Sequence, residues 1–356
     1  MALHWFGQRS KKVYTDRDLV ATFRKALLEV LAGDYDQAEE LIRQAVQADS
    51  EDMESYRSLA RLYSQRGEIG RAIRIHQNLL LRPDLSAEER NAVLSELAGD
   101  FRQGGFLERA IASYQEVLSH DAQNREALEA LSALHSEARE FREALAMVMR
   151  LAKVERRKDP AREARLWVGL AQAEYADGHH DAARKALKKA LRRDASNVDA
   201  RILLGQLLAE RGKNKAALAA WRVVAEQGSA RAGEVHSKLE ASFAALGRAR
   251  EYETFLRGLL EERPDDAAAR LALSSTLAAR GETDSAVLEL RRVLDTHPEK
   301  VAGRIALGRV LLGEGRDAEA LKEYGQLLEW LFGRSEAAEG GGALASSPVP
   351  GGEGTG

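Results

Sequence analysis

The sequence predicts an all-α fold, a right-handed superhelical solenoid of about nine stacked helix pairs with no separate globular core. Three observations carry that prediction. Turn positions recur at Gly33, Gly67, Gly105, Arg139, Gly178, Gly212, Gly247, Gly281 and Gly315, at spacings of 34, 38, 34, 39, 34, 35, 34 and 34 residues. Five residues after each stands a small side chain, at Ala38, Ala72, Ala110, Ala144, Ala183, Ala217, Ala286 and Ala320, with Tyr252 as the exception. On either side of a turn the apolar residues follow helical spacing: Tyr56, Leu59, Ala60 and Tyr63 before Gly67, then Ala72, His76 and Leu79 after it.

A helix–turn–helix unit of 34 residues is the period of tetratricopeptide repeats, whose units bury their apolar faces only by stacking on one another. The 356-residue length therefore implies one long array from about residue 19 to 332, and no division into several cores. Aromatic residues make up only 6% of the chain, which suits thin helices in close contact. Charged residues make up 31%, but the net charge is -3, so no global attraction to nucleic acid or anionic lipid is expected. The absence of cysteine excludes a disulfide framework and a cysteine zinc site.

Residues 1–18 hold Trp5 and Phe6 followed by Arg9, Lys11 and Lys12, a basic segment read as a flexible terminus. Its apolar run is shorter than a signal-peptide core or the roughly 20 residues of a membrane span, so the chain as written is expected to be cytoplasmic, with at most peripheral membrane contact. From residue 19 the helices come in pairs, and each turn glycine supplies a left-handed backbone position without steric cost where the first helix ends. The two long spacings each contain a proline between pairs, Pro83 and Pro160, where extra residues are expected to lengthen the connection and divide the array into blocks of two, two and five repeats. Residues 333–356 are rich in Gly, Ala, Ser and Pro, the composition of a disordered tail.

No catalytic constellation is present. Ser119, His120 and Asp121 are neighbours in sequence, whereas a triad is assembled across space beside an oxyanion hole. His179 and His180 are adjacent, and adjacent histidines rarely converge on one metal ion. His76 takes a position filled elsewhere by Leu187, Trp221 and Tyr324, so it reads as a packed interior side chain. No enzyme activity, metal or cofactor is expected.

Binding surfaces are the remaining candidates. Residues of the first helix of each pair that point away from the core would line the concave groove: Arg57, Arg61, Gln65, Arg102, Gln103, Gln172, Tyr175 and Gln206. Farther along, that line becomes small or apolar, with Ala241, Ala244, Leu271, Ser275, Ala278 and Leu312, a gradient suited to a peptide with an acidic part and an apolar part. Lys185, Lys188, Lys189, Arg192 and Arg193 share one face of a second helix at i, i+3, i+4, i+7 and i+8, a basic surface fit for an acidic partner or an anionic membrane. Nucleic acid is not expected there, since the helix has no base-stacking aromatics.

The stretch Arg66–Gln77 closely resembles the second-repeat segment of the lipopolysaccharide assembly protein B (LapB/YciM) family. Leu246-Gly247-Arg248, Glu251-Tyr252 and Phe255-Leu256-Arg257 look like that family's atypical seventh repeat. The resemblance implies a bacterial adaptor at the inner membrane that presents a lipid A biosynthetic deacetylase to a membrane-bound protease and so regulates lipopolysaccharide synthesis. Two departures stand against a full transfer: the family carries an N-terminal transmembrane helix and a cysteine-built rubredoxin-like zinc domain, and this sequence shows neither. The alternative expectation is a generic repeat scaffold for another bacterial assembly, such as a secretion or motility complex.

Overall fold

The structure, a computed structural model, describes residues 16–49 and 51–340, with side chains from residue 17 to 332. Among the described residues it contains only α-helices and their connections, eighteen helices in nine antiparallel pairs, as the 34-residue period requires. The chain separates into two compact units, one ending at Ala195 and the other beginning at Ser196.

The first unit holds five pairs: α1 (Asp16–Ala32) with α2 (Tyr35–Ala48), α3 (Met53–Gln65) with α4 (Ile69–Leu80), α5 (Ala87–Gln103) with α6 (Leu107–His120), α7 (Arg125–Glu137) with α8 (Phe141–Val154), and α9 (Pro160–Ala176) with α10 (His180–Arg193). The second holds four: α11 (Val198–Glu210) with α12 (Asn214–Glu226), α13 (Gly233–Ala245) with α14 (Ala249–Glu262), α15 (Ala267–Ala279) with α16 (Thr283–Thr296), and α17 (Val301–Gly313) with α18 (Asp317–Gly340). The break falls at an ordinary four-residue link, not at either proline-containing link, so the expected blocks of two, two and five repeats do not match the observed units.

All nine predicted turn positions have left-handed backbone, with φ between 62° at Arg139 and 81° at Gly33. Each turn closes by backbone hydrogen bonds to the last carbonyls of the preceding helix, as Glu68 N does to Tyr63 O at 2.8 Å, which satisfies groups the helix end would otherwise leave unpaired. Helix starts are capped by short polar side chains: Asp52, Asn124, Asp159, Asn197 and Asp266 each accept from a backbone N–H two to three residues into the helix. Ser86 and Glu89 form a reciprocal capping box on α5.

The small residues mark where backbones approach. The eight alanines that follow the turns are fully buried. A matching register on the first helix of each pair, at Ala26, Ala60, Ala98, Ser132, Ala171, Gly205, Ser274 and Gly308, is buried as well. Gly205 leaves room for Trp221, whose indole N–H donates to the Ile202 carbonyl at 3.1 Å, and Gly308 leaves room for Tyr324. The seventh pair breaks both registers, with Glu240 and Tyr252 in place of small residues. Tyr252 is nevertheless buried, its hydroxyl donating to the His236 carbonyl at 2.9 Å and its ring 5.6 Å from that of Phe243.

The extra residues at the long spacings do not mainly lengthen the connections, as the sequence suggested. α5 and α9 each run for 17 residues where the first helix of most later pairs has 13, so the insertion becomes an added N-terminal turn. Pro160 opens α9, where its missing N–H has no intrahelical acceptor to lose. At the far end, α18 continues to Gly340, past the predicted boundary at residue 332. Trp5, Phe6, Arg9, Lys11 and Lys12, and the tail from residue 341, lie outside the described residues.

Candidate binding surfaces

Three features of the repeat array bring side chains together beyond what packing requires: a polar cluster in the first unit, the basic face of α10, and a cleft at the irregular seventh pair.

The polar cluster contains three of the predicted groove residues, Arg57, Arg61 and Gln103. Arg57 and Arg61, one turn apart on α3, both reach Glu96 of α5, with Nη2–Oε1 distances of 2.7 and 2.6 Å. Both also meet Glu54 of their own helix, at 3.0 and 2.9 Å. Behind them His76 of α4 lies almost wholly buried between two carboxylates, Nε2 3.1 Å from Glu96 and Nδ1 2.7 Å from Asp100. Asp100 also accepts from the Ser64 hydroxyl at 2.8 Å, and Gln103 donates to the Ser64 carbonyl at 3.0 Å.

These contacts set the protonation of the cluster. Burial pushes the His76 pKa down, but its hydrogen bonds to Asp100 and Glu96 outweigh that and raise it above the ordinary value. Burial likewise pushes Glu96 up, and hydrogen bonds from His76, Arg57 and Arg61 outweigh it, holding the carboxyl well below the usual carboxylate range. With His76 protonated, three cations (Arg57, Arg61, His76) face three carboxylates (Glu54, Glu96, Asp100). The arginines are compensated by Glu54 and Glu96, and His76 is an interior residue with two carboxylate partners that its apolar position did not announce.

The other predicted groove residues do not converge with these three. Arg102 pairs with Glu137 of α7, Gln65 and Gln172 project into solvent, and Tyr175 stands edge-on to His180 with ring centroids 5.3 Å apart. Gln206 donates to Glu210 at 3.2 Å on α11, in the second unit. Sequence reasoning missed Glu96 and Asp100. The available signal was a histidine at a buried helix position, which requires polar partners on the next helix.

Lys185, Lys188, Lys189, Arg192 and Arg193 of α10 are all exposed. Two are held in place: Lys189 Nζ lies 4.3 Å above the Trp167 ring, and Arg193 Nε is 2.6 Å from the carboxylate of Glu163, a buried residue in the added turn of α9. Arg192 donates to the Lys188 carbonyl at 3.3 Å, while the side chains of Lys185 and Lys188 make no ion pair among the described residues.

The third feature follows from the lost small-residue register. Where Glu240 and Tyr252 stand, a cleft of about 390 Å³ opens between α13, α14 and α15, bordered by Ala244, Ala249, Thr276 and the Glu253–Arg280 ion pair. No group of three or more His, Cys, Asp or Glu among the described residues is placed to hold a metal ion. No described helix is long and apolar enough to cross a membrane.

Against known families, the tetratricopeptide repeat model matches residues 12–298 and a second model of the same description matches residues 271–341. The chain belongs to the tetratricopeptide repeat family. Among curated proteins, this repeat protein is 27% identical over 244 residues to lipopolysaccharide assembly protein B of Escherichia coli K12, an alignment covering 68% of this chain and 63% of that protein. It is 28% identical over 199 residues to the Haemophilus influenzae protein of the same name, covering 56% of this chain and 50% of that one. The repeat chain thus spans between half and two thirds of these relatives. Among solved structures, a tetratricopeptide repeat protein from Parabacteroides merdae is similar at a TM-score of 0.38 and 15% identity, over 83% of this chain and 99% of that one. The C-terminal part of a repeat protein from Cytophaga hutchinsonii is similar at a TM-score of 0.42 and 15% identity, over 80% of this chain and 99% of that one.

Proposed function

We propose that this repeat protein is a non-catalytic adaptor in the control of lipopolysaccharide synthesis, which brings a lipid A biosynthetic enzyme to a membrane-bound protease. The observation that carries the reading is the 244-residue alignment with lipopolysaccharide assembly protein B. The resembling stretch Arg66–Gln77 supports it: those residues build the turn at Gly67 and most of α4, the helix that holds His76 against Glu96 and Asp100. Adaptor work suits the architecture, because stacked pairs offer long, rigid, exposed helix faces on which two partners can sit without mutual overlap. In this reading the protein works in the cytoplasm at the face of the inner membrane, through its partners, and binds no nucleic acid.

The test is crosslinking in living cells followed by affinity purification of the tagged repeat protein and mass spectrometry of what it retains. Recovery of both the membrane protease and the lipid A deacetylase is the expected result. Recovery of a secretion or motility assembly in their place would overturn the proposal in favour of the generic scaffold.

A further inference from the structure

We infer that the basic face of α10 and the inserted α8–α9 link together form a docking surface for an acidic segment of a partner protein. The inference rests on the reading of the repeats as a binding module, but on no particular partner.

The charge is concentrated where the repeat period is broken. Between Lys153 and Arg193 there are twelve lysines and arginines against six aspartates and glutamates, in a chain whose net charge is -3. The acids near the inserted link are already engaged. Glu155 lies 2.7 Å from Arg125, Glu163 holds Arg193, and Asp159 caps α9 by accepting from the Arg162 N–H at 2.9 Å. Lys153, Arg156, Arg157 and Lys158 on one side, and Lys185 and Lys188 on the other, are exposed and form no ion pair among the described residues.

The added turn of α9 joins the two halves. Arg162 faces back toward α7, donating to the Ser132 hydroxyl at 2.9 Å, and the next residue, Glu163, faces α10 and fixes Arg193. On the Arg162 side a cleft of about 350 Å³ opens, lined by the cations Arg125, Arg157, Lys158 and Arg162, the acids Glu129, Glu155 and Asp159, and the apolar Val148 and Leu151. Glu129 and Glu155 are paired with Arg125, and Asp159 caps α9, which leaves Arg157 and Lys158 as the cations of the cleft that form no ion pair among the described residues. From there the stripe from Lys185 to Arg193 extends along α10 for about 12 Å at 1.5 Å per residue.

This shape selects the class of partner. No large apolar side chain is exposed on α9 or α10 to enter a bilayer, and a planar headgroup layer does not fill a cleft. Trp167, the aromatic that packs against Lys189 of the stripe, is covered by it, so that ring offers bases no free stacking platform on that face. An extended acidic peptide satisfies both parts, one carboxylate in the cleft and others along the stripe.

The experiment is fluorescence anisotropy of a labelled 16-residue Glu-Ser repeat peptide titrated with the full chain, with a Lys-Ser repeat peptide as the reverse-charge control. Binding of the acidic peptide alone is expected, weakening as salt is raised. The triple variant K185E/K188E/R192E should weaken it about tenfold or more, and R157S/K158S by less, because exposed ion pairs contribute modestly one by one. A control triple on the second unit and its last helix, K213E/K215E/K322E, should leave binding unchanged. Equal losses from both triples, or none from the first, overturn the proposal. So does loss of co-sedimentation with phosphatidylglycerol vesicles in the first triple while peptide binding persists, which would assign the surface to lipid. Melting curves by circular dichroism check folding, and K185Q/K188Q/R192Q replaces the triple if it melts early. Because the peptide assay needs neither protease nor deacetylase, it separates failure of this surface from failure of the adaptor reading.

Discussion

At the scale of single residues, His76 and Arg139 depart from what their positions ask for. His76 occupies a core position, yet it sits between Glu96 and Asp100 with both ring nitrogens in hydrogen-bond contact. Its folded pKa is raised, so its contribution to stability is fully present below the unfolded value of about 6.5 and is lost as pH rises through the higher folded value. For Glu96 the sign is opposite: its depressed pKa gives stability that is present above the unfolded value of about 4.5 and fades as pH falls. Chemical denaturation of the wild type and His76→Gln across pH 5 to 9 should show a gap between them that narrows with rising pH. A gap constant with pH would mean that His76 is not protonated in the fold. Arg139 holds φ at 62° where every other turn anchor is glycine. Arg139→Gly should therefore stabilise the fold by about 1 kcal/mol, the order of the left-handed penalty for a side chain, and a lower melting temperature would contradict this.

At the scale of helices, small residues govern how closely each pair approaches, and their removal tests the register directly. A Cβ added at Gly205 would overlap the Trp221 indole, and Ala217 is fully buried five residues after its turn. Gly205→Ala and Ala217→Leu should each cost about 1–3 kcal/mol by overpacking. Alanine at Gly233, where no neighbour lies within reach of a Cβ, should be tolerated in the same melting experiment. The cluster around Glu96 bears on any mutational probe of the groove: reversing Arg57 or Arg61 would set a new carboxylate beside Glu54 and Glu96. Lost partner binding would then report lost packing between α3 and α5. Gln65 and Gln172, which project into solvent, are the cleaner probes, and substituting them with alanine should leave the melting temperature unchanged.

At the scale of the whole molecule, each pair packs mainly on its sequence neighbours, so perturbation should spread locally, as nearest-neighbour energetics of repeat arrays predict. Leu290 is fully buried in a cluster with Val287, Leu307, Leu311 and Ala320 of the last two pairs. Leu290→Ala should cost about 2–5 kcal/mol and accelerate amide hydrogen exchange in α15 to α18, with α1 to α10 unchanged. Uniform acceleration across both units would show that the chain unfolds as one cooperative body.

The sequence by itself determined the repeat: its period, the nine left-handed turns including the one at Arg139, the buried alanines and the exception at Tyr252. Those features are local, because a turn conformation and a helix face are written within one 34-residue unit. The tertiary structure decided the rest. Whether Arg57 and Arg61 stay available to a partner depends on Glu96, more than thirty residues away, and whether the inserted residues become loop or helix depends on the surface they meet. The residues after Pro83 and Pro160 became added turns of α5 and α9, and the second of these turns carries Glu163, which holds Arg193 of α10. Charge compensation and the meeting of surfaces are properties of packing between repeats, which no periodicity within a repeat contains.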